Sequence, residues 1–479
     1  SEQKAERFQK LFQQNGVQKQ LEVVLVPNVG RDVAPFLAGL GDRLSGYDYL
    51  GHFHGKKSTT VDWGGRWRNY LLDNLLGSKE GVRAIFHEFE ADLKLGMVYP
   101  PAYPLIAPYA DWGGNEERCR TLLREMGCDA DLPAIPDFPV GNMFWARGAA
   151  IKPVLEYSWK YEQFEPEEGQ ISQTLPHAIE RIWRYCATGR GYYTQEIFLK
   201  RPMLAAPRKR RLAFFVHYEP QAFVSDADLF YLQELRKVVS EVVVITNSRL
   251  PAEEQEKLKV YANEIIHRDN EGFDFGAWRD GIRRVGWSKL AFCDEIILAN
   301  NSCYGPVFPF AEMFADMADK VCDFWSVTAF PLLKNSSRAE ARLLPGNTIP
   351  MHLQSYFMVF GKPVLDSTEF RDFWARVEDK RDILEVVAEY ETQLTGRMVA
   401  AGFKWGCYVP ESLDLQVRNE SIAFNAIYNQ PVEMLLLRSP LLKKKVAIYA
   451  PDQTALLKHM VGCYGLFPAD LMFAEPRSS

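Results

Sequence analysis

One stretch occurs twice in this chain, and this repeat constrains the fold more than any other sequence feature. The clearer copy, residues 267–306, reads His-Arg-Asp-Asn-Glu-Gly-Phe-Asp-Phe-Gly-Ala-Trp and ends in Cys-Asp-Glu-Ile-Ile-Leu-Ala-Asn-Asn-Ser-Cys-Tyr-Gly-Pro. The other copy, residues 21–58, has an apolar run, then Asn-Val-Gly-Arg-Asp, a helical segment, a second Asp and His-Phe-His-Gly-Lys-Lys-Ser. A repeat of this length is too long for a solenoid unit and predicts two related domains.

Each copy predicts a strand, a tight turn and a helix. Asn-x-Gly favours such a turn, because Gly and, next to it, Asn tolerate positive φ. The acidic residues that follow, Asp32 and Asp274, are predicted to be helix N-caps. Apolar residues then recur at helical spacing over residues 33–44 and 275–285.

Polar residues follow the second strand of each repeat. Residues 295–299 are almost all apolar, as expected for a strand buried on both faces of a parallel sheet. In open α/β sheets ligands bind at the carboxyl ends of the strands. One interpretation is that these are only turn and cap residues; the presence of two copies favours a ligand site. The candidate nucleotide-binding residues are Asn28, Gly30, Asp32, His54, Lys56 and Lys57 in the first copy, and Asn270, Gly272, Asp274, Asn300, Asn301 and Ser302 in the second.

Length and charge limit the class of protein. A chain of 479 residues predicts two or three domains, and its net charge of -6 argues against nucleic acid as the main partner. No apolar run is long enough to span a bilayer, no signal peptide is recognisable, and eight scattered Cys fit a reducing cytoplasm. Two basic clusters, Arg208–Arg211 and Lys443–Lys445, are interpreted as a solvated linker and a helix end, or alternatively as contacts with an anionic membrane.

The first repeat has less sequence before it than the second. Strands over 212–217 and 241–246 precede the second repeat, whereas a helix over 1–15 and a strand over 21–27 are all that precede the turn of the first. We therefore expect domains 1–205 and 206–479, with a first domain truncated at its N-terminus and a chain cut from a longer protein. Residues 96–139, rich in Pro, Tyr and Gly, are predicted to be an insertion beside a substrate cleft.

Two further pairs of segments correspond between the halves. Residues 141–145 are matched with 354–357, and the acidic segment 165–168 is matched with 389–391. The residues 352–360 predict a strand with a polar beginning, and His177 and Glu180 are expected to share one helix face.

The sequence resembles the rhamnan synthesis protein F family of bacterial glycosyltransferases. The motifs that carry the resemblance are Asn270-Glu-Gly-Phe-Asp-Phe-Gly-Ala-Trp278, Asn300-Asn-Ser-Cys-Tyr-Gly-Pro306, Asp323-Phe-Trp325, His352-Leu-Gln-Ser-Tyr-Phe357, and Tyr390-Glu391 with Leu394-Thr395. The first half contributes Gly30-Arg-Asp32, His54-Gly-Lys-Lys-Ser58, Gly141-Asn-Met-Phe-Trp145 and His177-Ala-Ile-Glu-Arg181.

This resemblance implies two tandem GT-A-like, Rossmann-like α/β domains with mostly parallel central sheets. It implies a cytoplasmic enzyme, peripheral at the inner face of the inner membrane, that builds rhamnose-containing surface polysaccharide. The implied donor is a dTDP- or GDP-linked rhamnose, and the implied acceptor is a lipid-linked glycan. The acceptor-site candidates are His352, Gln354, Tyr356, Asn142, Trp145, His177 and Glu180.

The sequence departs from GT-A enzymes at the metal site. Where an Asp-x-Asp is usual, it has Asn300-Asn-Ser302 and His52-Phe-His54, which are poor ligands for a hard cation. A divalent metal is therefore doubted and no cofactor is predicted. Positive charge for the leaving diphosphate is then sought elsewhere, and the candidates are Arg31, Lys56, Lys57, Arg268 and Arg279.

An inverting transfer needs a carboxylate to take the proton of the acceptor hydroxyl. The catalytic candidates are Glu391 in the second half and Glu167 or Glu168 in the first; the alternative is that these are solvated surface residues. Three functions remain open: a tandem glycosyltransferase, one catalytic domain with a degenerate acceptor-binding partner, or a non-catalytic glycan-binding assembly protein.

Overall fold

The structure is a computed structural model that describes residues 2–14, 21–55, 61–128, 130–166, 169, 172–198, 205–417 and 424–473. The chain divides into two compact units, Ser1–Pro202 and Met203–Ser479. The boundary deduced from the sequence lies only a few residues further along.

The first unit is built on a four-stranded sheet. Its order is β1-β3-β2-β4, in which β3 runs antiparallel to both neighbours and β4 runs parallel to β2. The strands are β1 (Tyr49–His52), β2 (Leu95–Tyr99), β3 (Phe144–Arg147) and β4 (Tyr193–Glu196). The helices are α1 (Glu2–Gln14), α2 (Val33–Leu40), α3 (Gly64–Leu76), α4 (Lys79–Ala91), α5 (Glu116–Glu125), α6 (Gly148–Glu156) and α7 (Leu175–Gly189).

Two sequence predictions in this unit are wrong. Residues 21–27 pair with no other described segment, so their apolar, β-branched composition does not make them a strand. Residues 96–139 are not a mere insertion, because Leu95–Tyr99 is a fully buried strand inside the sheet. Gly96 and Pro100 concealed that strand, since both residue types are uncommon in strands.

The second unit has a larger sheet of order β14-β10-β13-β8-β5-β6-β7. Strands β8, β5, β6 and β7 are mutually parallel, β13 is antiparallel to β8 and to β10, and β14 is parallel to β10. The strands are β5 (Arg211–His217), β6 (Glu241–Thr246), β7 (Glu264–His267), β8 (Glu295–Asn300), β9 (Cys303–Tyr304), β10 (Phe324–Ser326), β11 (Ala329–Phe330), β12 (His352–Leu353), β13 (Phe357–Gly361), β14 (Trp405–Cys407) and β15 (Leu442–Lys443).

Helices cover this sheet and continue to the end of the unit. They are α8 (Asp226–Leu235), α9 (Ala252–Lys259), α10 (Phe273–Val285), α11 (Trp287–Leu290), α12 (Phe310–Ala318), α13 (Lys362–Leu365), α14 (Thr368–Arg376), α15 (Ile383–Val386), α16 (Thr392–Ala400), α17 (Glu411–Val417), α18 (Ala426–Asn429), α19 (Pro431–Leu436), α20 (Val446–Tyr449) and α21 (Thr454–Tyr464). A π-helical turn, Val387–Glu391, joins α15 to α16. Two small ribbons, β11–β12 and β9–β15, lie outside the main sheet.

The fully buried strands β5 and β8 are the centre of the core. On one side of the sheet, the side chains of Phe214, Val216, Ile296 and Leu298 are almost completely buried. They pack there with Phe275 and Trp278 of α10. At roughly 25 cal/mol per Å² of apolar surface removed from water, burial of such residues is the main stabilising contribution to the unit. The sheet therefore presents its strand ends in fixed positions.

The two sheets share a common part. The order and directions of β1-β3-β2-β4 are those of β8-β13-β10-β14 in the second unit. Within the described part of the first unit, no strand corresponds to β5, β6 or β7. The predicted α/β fold class is confirmed, and the larger sheet is mostly parallel. The common part contains two antiparallel pairings because β3 and β13 each run against both neighbours.

Candidate functional site

A polar cleft of about 580 Å³ lies at the carboxyl edge of the larger sheet. Residues that follow β5, β7 and β8 form one side of it, which is where parallel sheets bind ligands. Its size is that of typical small-molecule sites. The sequence-predicted residues that line it are Asn270, Asp274, Asn300, Asn301, Ser302, His352, Gln354, Tyr356 and Glu391.

The turn before α10 places Asp274 at the cleft. Gly272 has a φ of +70° and is itself the N-cap, so the predicted capping role of Asp274 is wrong. A Cβ atom at position 272 would lie 2.5 Å from an Asp379 carboxylate oxygen, which adds a steric reason for glycine. Asp274 lies in the first helical turn, and its carboxylate accepts a hydrogen bond of 2.8 Å from the Asn300 amide.

Burial raises the pKa of Asp274 to about 6, and the nearby Glu391 carboxylate acts in the same direction. Lys443 and the Asn300 amide oppose this shift, because both favour the charged carboxylate. Asp274 is thus an anion at neutral pH that can be protonated by modest acidification.

The polar cluster after β8 is linked to a lysine far along the chain. The Ser302 hydroxyl donates to the Asn300 side-chain oxygen and accepts a hydrogen bond of 2.9 Å from Lys443 Nζ. Lys443 is carried by β15, which pairs with β9 immediately after the cluster. The sequence interpretation of Lys443–Lys445 as a solvated helix end missed this position.

The neighbouring Lys444 is held by a buried carboxylate. Its ammonium lies 2.8 Å from Asp228 Oδ1, and Asp228 is only 3% exposed. Burial alone would raise the pKa of Asp228, but Lys444 and His217 outweigh it and leave that pKa lowered. The pair fixes the ribbon β9–β15 to helix α8, which carries Asp228.

The other side of the cleft carries Glu391. One of its carboxylate oxygens accepts hydrogen bonds from the backbone N–H and the hydroxyl of Ser355, at 2.9 and 2.8 Å. Both bonds hold the carboxylate at the end of the π-helical turn, facing the cleft. Ser355 was not singled out in the sequence, although it lies between two predicted acceptor residues.

His352 lies near Glu391, and a hydrogen bond to a backbone carbonyl fixes a proton on one of its ring nitrogens. Its Nδ1 donates to the Pro350 carbonyl at 2.8 Å, and its ring stacks on Phe330 at 5.3 Å. Burial lowers the pKa of His352, against the opposing effect of the Glu391 carboxylate. His352 is thus a neutral imidazole in the lining of the cleft.

Thr328 orients the two remaining predicted acceptor residues of this unit. Its hydroxyl lies 2.8 Å from the Gln354 side-chain oxygen and 2.7 Å from the Tyr356 hydroxyl. The Tyr356 ring in turn lies 4.4 Å from the Lys443 ammonium. Gln354 and Tyr356 therefore form a rigid wall between the two sides of the cleft.

Two of the three arginines proposed for the leaving diphosphate, Arg268 and Arg279, are engaged elsewhere. Arg279 makes ion pairs of 2.8 and 2.9 Å with Asp280 and Asp379, and Arg268 pairs with the same two carboxylates. Neither arginine lines the cleft. The sequence interpretation is corrected here, because these cations neutralise neighbouring carboxylates and stabilise the turn before α10.

In the first unit, the partly exposed Asp32 carboxylate has two side-chain neighbours. It accepts a hydrogen bond from the Asn142 amide and lies 3.8 Å from His52 Nε2. Asn142 also accepts a hydrogen bond of 2.8 Å from the buried Trp183 indole. Asp32 stands at the N-cap position of α2, but its side chain makes no capping bond. Gly30 makes the expected turn, with a φ of +69°.

Strand registers identify which residues correspond between the units. Tyr49 pairs with Arg147 in the first unit, and Glu295 pairs with Gly361 at the equivalent position of the second. Arg147 therefore corresponds to Gly361, and the residues at the same distance before them along the chain, Gly141 and Ser355, also correspond. The Gly141 N–H donates a hydrogen bond of 2.8 Å to the Glu180 carboxylate, just as the Ser355 N–H donates one to the Glu391 carboxylate. The counterpart of Glu391 is therefore Glu180, and the matching of 165–168 with 389–391 is wrong.

Other predicted residues of the first unit have structural contacts or lie outside the description. His54 Nε2 lies 2.9 Å from the Gly141 carbonyl oxygen, and Asn28 is exposed. His177 forms a hydrogen bond with the Thr174 hydroxyl. Burial, and the positive charge of two nearby arginines, lower the pKa of His177 to about 4. The Trp145 indole donates to the Leu75 carbonyl and packs against Phe53 and Phe86. The candidates Lys56, Lys57, Glu167 and Glu168 lie outside the described residues.

The described residues contain no group of three His, Cys, Asp or Glu side chains placed to hold a metal ion. Within the same ranges, no helix is both long and apolar enough to cross a membrane.

The structure is that of an α/β protein with a cleft at the carboxyl edge of its larger sheet. A model of the family described as rhamnan synthesis protein F matches residues 1–192 and 242–471. The chain belongs to this family, as its motifs indicated. Membership supports a function in polysaccharide synthesis.

Two curated relatives have names that state no function. The chain is 37% identical over 187 residues to protein WxcX of Xanthomonas campestris pv. campestris (strain B100), a match covering 38% of this chain and 26% of WxcX. It is 26% identical over 219 residues to protein y4gN of Sinorhizobium fredii (strain NBRC 101917 / NGR234), covering 44% of this chain and 54% of y4gN. The chain thus matches about half or less of the length of these relatives.

Similar solved structures include two enzymes. One is a 4-diphosphocytidyl-2C-methyl-D-erythritol synthase, at 13% identity and a TM-score of 0.25, covering 38% of this chain and 85% of that one. The other is core-mannan synthase A from Aspergillus fumigatus in its Mn/GDP form, at 7% identity and a TM-score of 0.20, covering 34% and 63%. Scores this low carry no weight for the function of this chain.

Proposed function

We propose that the chain is a glycosyltransferase of polysaccharide synthesis and that its second unit holds the active site. The observation that carries this proposal is a single cleft lined on one side by Asp274 and Asn300 and on the other by Glu391. A transferase must bring a donor and an acceptor together, and the two sides supply different chemistry for these two substrates.

The donor side binds a nucleotide-linked sugar. Asn270, Asp274 and the amides of Asn300 and Asn301 offer directed hydrogen bonds suited to a base or ribose. Family membership favours rhamnose as the sugar, carried on dTDP or GDP.

Glu391 is the general base of the proposed reaction. The acceptor hydroxyl passes its proton to this carboxylate while its oxygen bonds the anomeric carbon of the donor. The bond from that carbon to the diphosphate breaks, and its electron pair leaves on the nucleoside diphosphate. Ser355 holds one oxygen of Glu391, so the other is left to face the acceptor.

The first unit has a supporting role in this proposal. Asp32 accepts a hydrogen bond from Asn142 and lies 3.8 Å from His52, whereas Asp274 lines the cleft. This difference favours an acceptor-binding or scaffold function for the first unit over a second catalytic centre.

The setting of the reaction follows from its product. Surface polysaccharide is assembled on a lipid carrier, so we propose a lipid-linked glycan as acceptor and a cytoplasmic position, peripheral at the inner membrane. We propose no cofactor; a divalent metal bound with the donor is tested below.

Calorimetric titration of the full chain with dTDP and with GDP, each with and without Mg²⁺, tests the donor site. We expect one nucleotide to bind, Asp274→Ala to abolish that binding, and the matched variant Asp32→Ala to preserve it. Loss of binding in Asp32→Ala alone would assign the donor site to the first unit. Absence of binding in the unaltered chain under all conditions would overturn the transferase proposal and favour a glycan-binding assembly protein.

A further inference from the structure

Three cations that line the cleft, Lys443, Lys444 and Lys445, come from the segment that follows the main sheet, and a fourth, Arg338, is paired with Glu340. Ribbon β9–β15 pairs Lys443 with Cys303, directly beside the polar cluster at the end of β8. This brings the Lys443 ammonium to 2.9 Å from the Ser302 hydroxyl, although 141 positions separate the two residues. The ammonium therefore belongs to the donor side of the cleft.

Lys443 and its neighbour differ in what they are bonded to. Lys444 is fully engaged by Asp228, an ion pair that fixes the ribbon. Lys443 makes one hydrogen bond, to a neutral hydroxyl, and has no ion-pair partner among the described residues. An ammonium has three N–H donors, so Lys443 retains donor capacity for a ligand in the cleft.

The surroundings keep Lys443 charged and restrict its position. Burial by itself lowers the pKa of Lys443, but Tyr428, Cys303, Glu391 and Asp274 together raise it above the ordinary value for lysine. The ammonium also lies over the Tyr356 ring, at 4.4 Å, which holds it by a cation–π contact. Lys443 is thus a fixed cation with spare donors.

We infer that Lys443 binds the diphosphate of the nucleotide-sugar donor and stabilises the negative charge that develops on it during transfer. The inference rests on the proposed function and replaces the arginines considered from the sequence. Ser302 is the positioning residue, because its hydroxyl accepts from Lys443 and donates to Asn300. The chemical class recognised is a diphosphate, which inorganic pyrophosphate shares with a nucleoside diphosphate.

The test is calorimetry on the full chain with inorganic pyrophosphate, dTDP and GDP, and with thymidine and guanosine as probes without phosphate, each with and without Mg²⁺. We expect Lys443→Met to weaken pyrophosphate and nucleoside diphosphate binding by about 10- to 100-fold, the usual effect of losing one charge-assisted hydrogen bond. Nucleoside binding should change little, and Lys443→Arg should restore part of the loss.

Lys320→Met is the matched control. Lys320 also donates one hydrogen bond, of 3.0 Å to the Cys407 carbonyl, and lies 5.9 Å from a tyrosine ring, but it does not line the cleft. Its replacement should leave all affinities unchanged. Thermal unfolding of each variant establishes that the protein remains folded.

The outcomes separate this inference from the proposed function. Unchanged diphosphate affinity in Lys443→Met overturns the assignment of Lys443, even where transfer still depends on Glu391. Lys443-dependent pyrophosphate binding by a chain that transfers no sugar supports the anion site and overturns the transferase. If the unaltered chain binds neither pyrophosphate nor a nucleoside diphosphate, the inference is wrong.

Discussion

Glu391 in the second unit and Glu180 in the first occupy equivalent backbone positions with different surroundings. Each accepts a hydrogen bond from the backbone N–H that precedes the antiparallel strand of its sheet. Glu391 lines the cleft, whereas Glu180 lies near Asp32, which accepts a hydrogen bond from Asn142, itself bonded by Trp183. The comparison shows one backbone arrangement beside a cleft in one unit and beside a hydrogen-bond network in the other.

The largest expected effect distinguishes these two carboxylates. Glu391→Gln keeps an oxygen that can accept from Ser355 but removes the base, so we expect transfer to fall by at least about 100-fold. Release of nucleoside diphosphate from dTDP- or GDP-rhamnose measures the rate. Glu180→Gln is the matched variant in the first unit and should transfer at close to the original rate; equal losses in both variants would show that the units act alike.

The second prediction concerns the ion pair between Lys444 and the buried Asp228, which fixes the ribbon β9–β15 in the second unit. Lys444→Met leaves the Asp228 carboxylate buried without its main partner, so we expect the free energy of unfolding to fall by about 3 kcal/mol. Urea unfolding at pH 7 measures this change. Adding Asp228→Asn should recover part of the loss, and a strictly additive double variant would contradict a direct interaction.

The third prediction uses the pKa of Asp274. Because this pKa is raised from 3.8 to about 6, the folded protein loses stability as the pH rises through that range. Asp274→Asn should therefore increase the free energy of unfolding by about 1–2 kcal/mol at pH 8, after allowance for partial exposure. The gain should shrink as the pH approaches 4. A gain that does not depend on pH would exclude the carboxylate charge as its cause.

The smallest expected effect lies in the first unit. Trp183→Phe removes the indole hydrogen bond to Asn142 and leaves a buried amide oxygen without that donor. The cost should be about 1 kcal/mol in the free energy of unfolding, with no change in nucleotide affinity. Equilibrium denaturation and calorimetry measure the two quantities, and a weakened nucleotide affinity would give the first unit a part in donor binding.

The sequence predicted residues on both sides of the cleft. Asn270, Asp274 and Asn300 follow strands of one parallel sheet, so their shared edge could be deduced from strand order alone. Glu391 was found through the family motif, whereas its counterpart Glu180 required the register of β3. Local pattern could not supply that register, because it depends on pairing between distant strands.

Lys443 could not be placed from the sequence for a related reason. A run of three lysines is usually solvated, and nothing local shows that its segment returns to the end of β8. The wrong strand prediction at residues 21–27 is the converse case. Those residues have the composition of a strand, but a strand forms only where a neighbouring strand supplies hydrogen bonds.

The ribbon between β9 and β15 also has a consequence for the order in which the protein is made. Chains are synthesised from the N-terminus, and domains fold as their segments emerge. Every strand of the larger sheet lies before residue 408, whereas Lys443 is made later. The nascent second unit can therefore complete its sheet before the lysine of the cleft exists, so that ligand capture cannot begin until the segment after the sheet has been made.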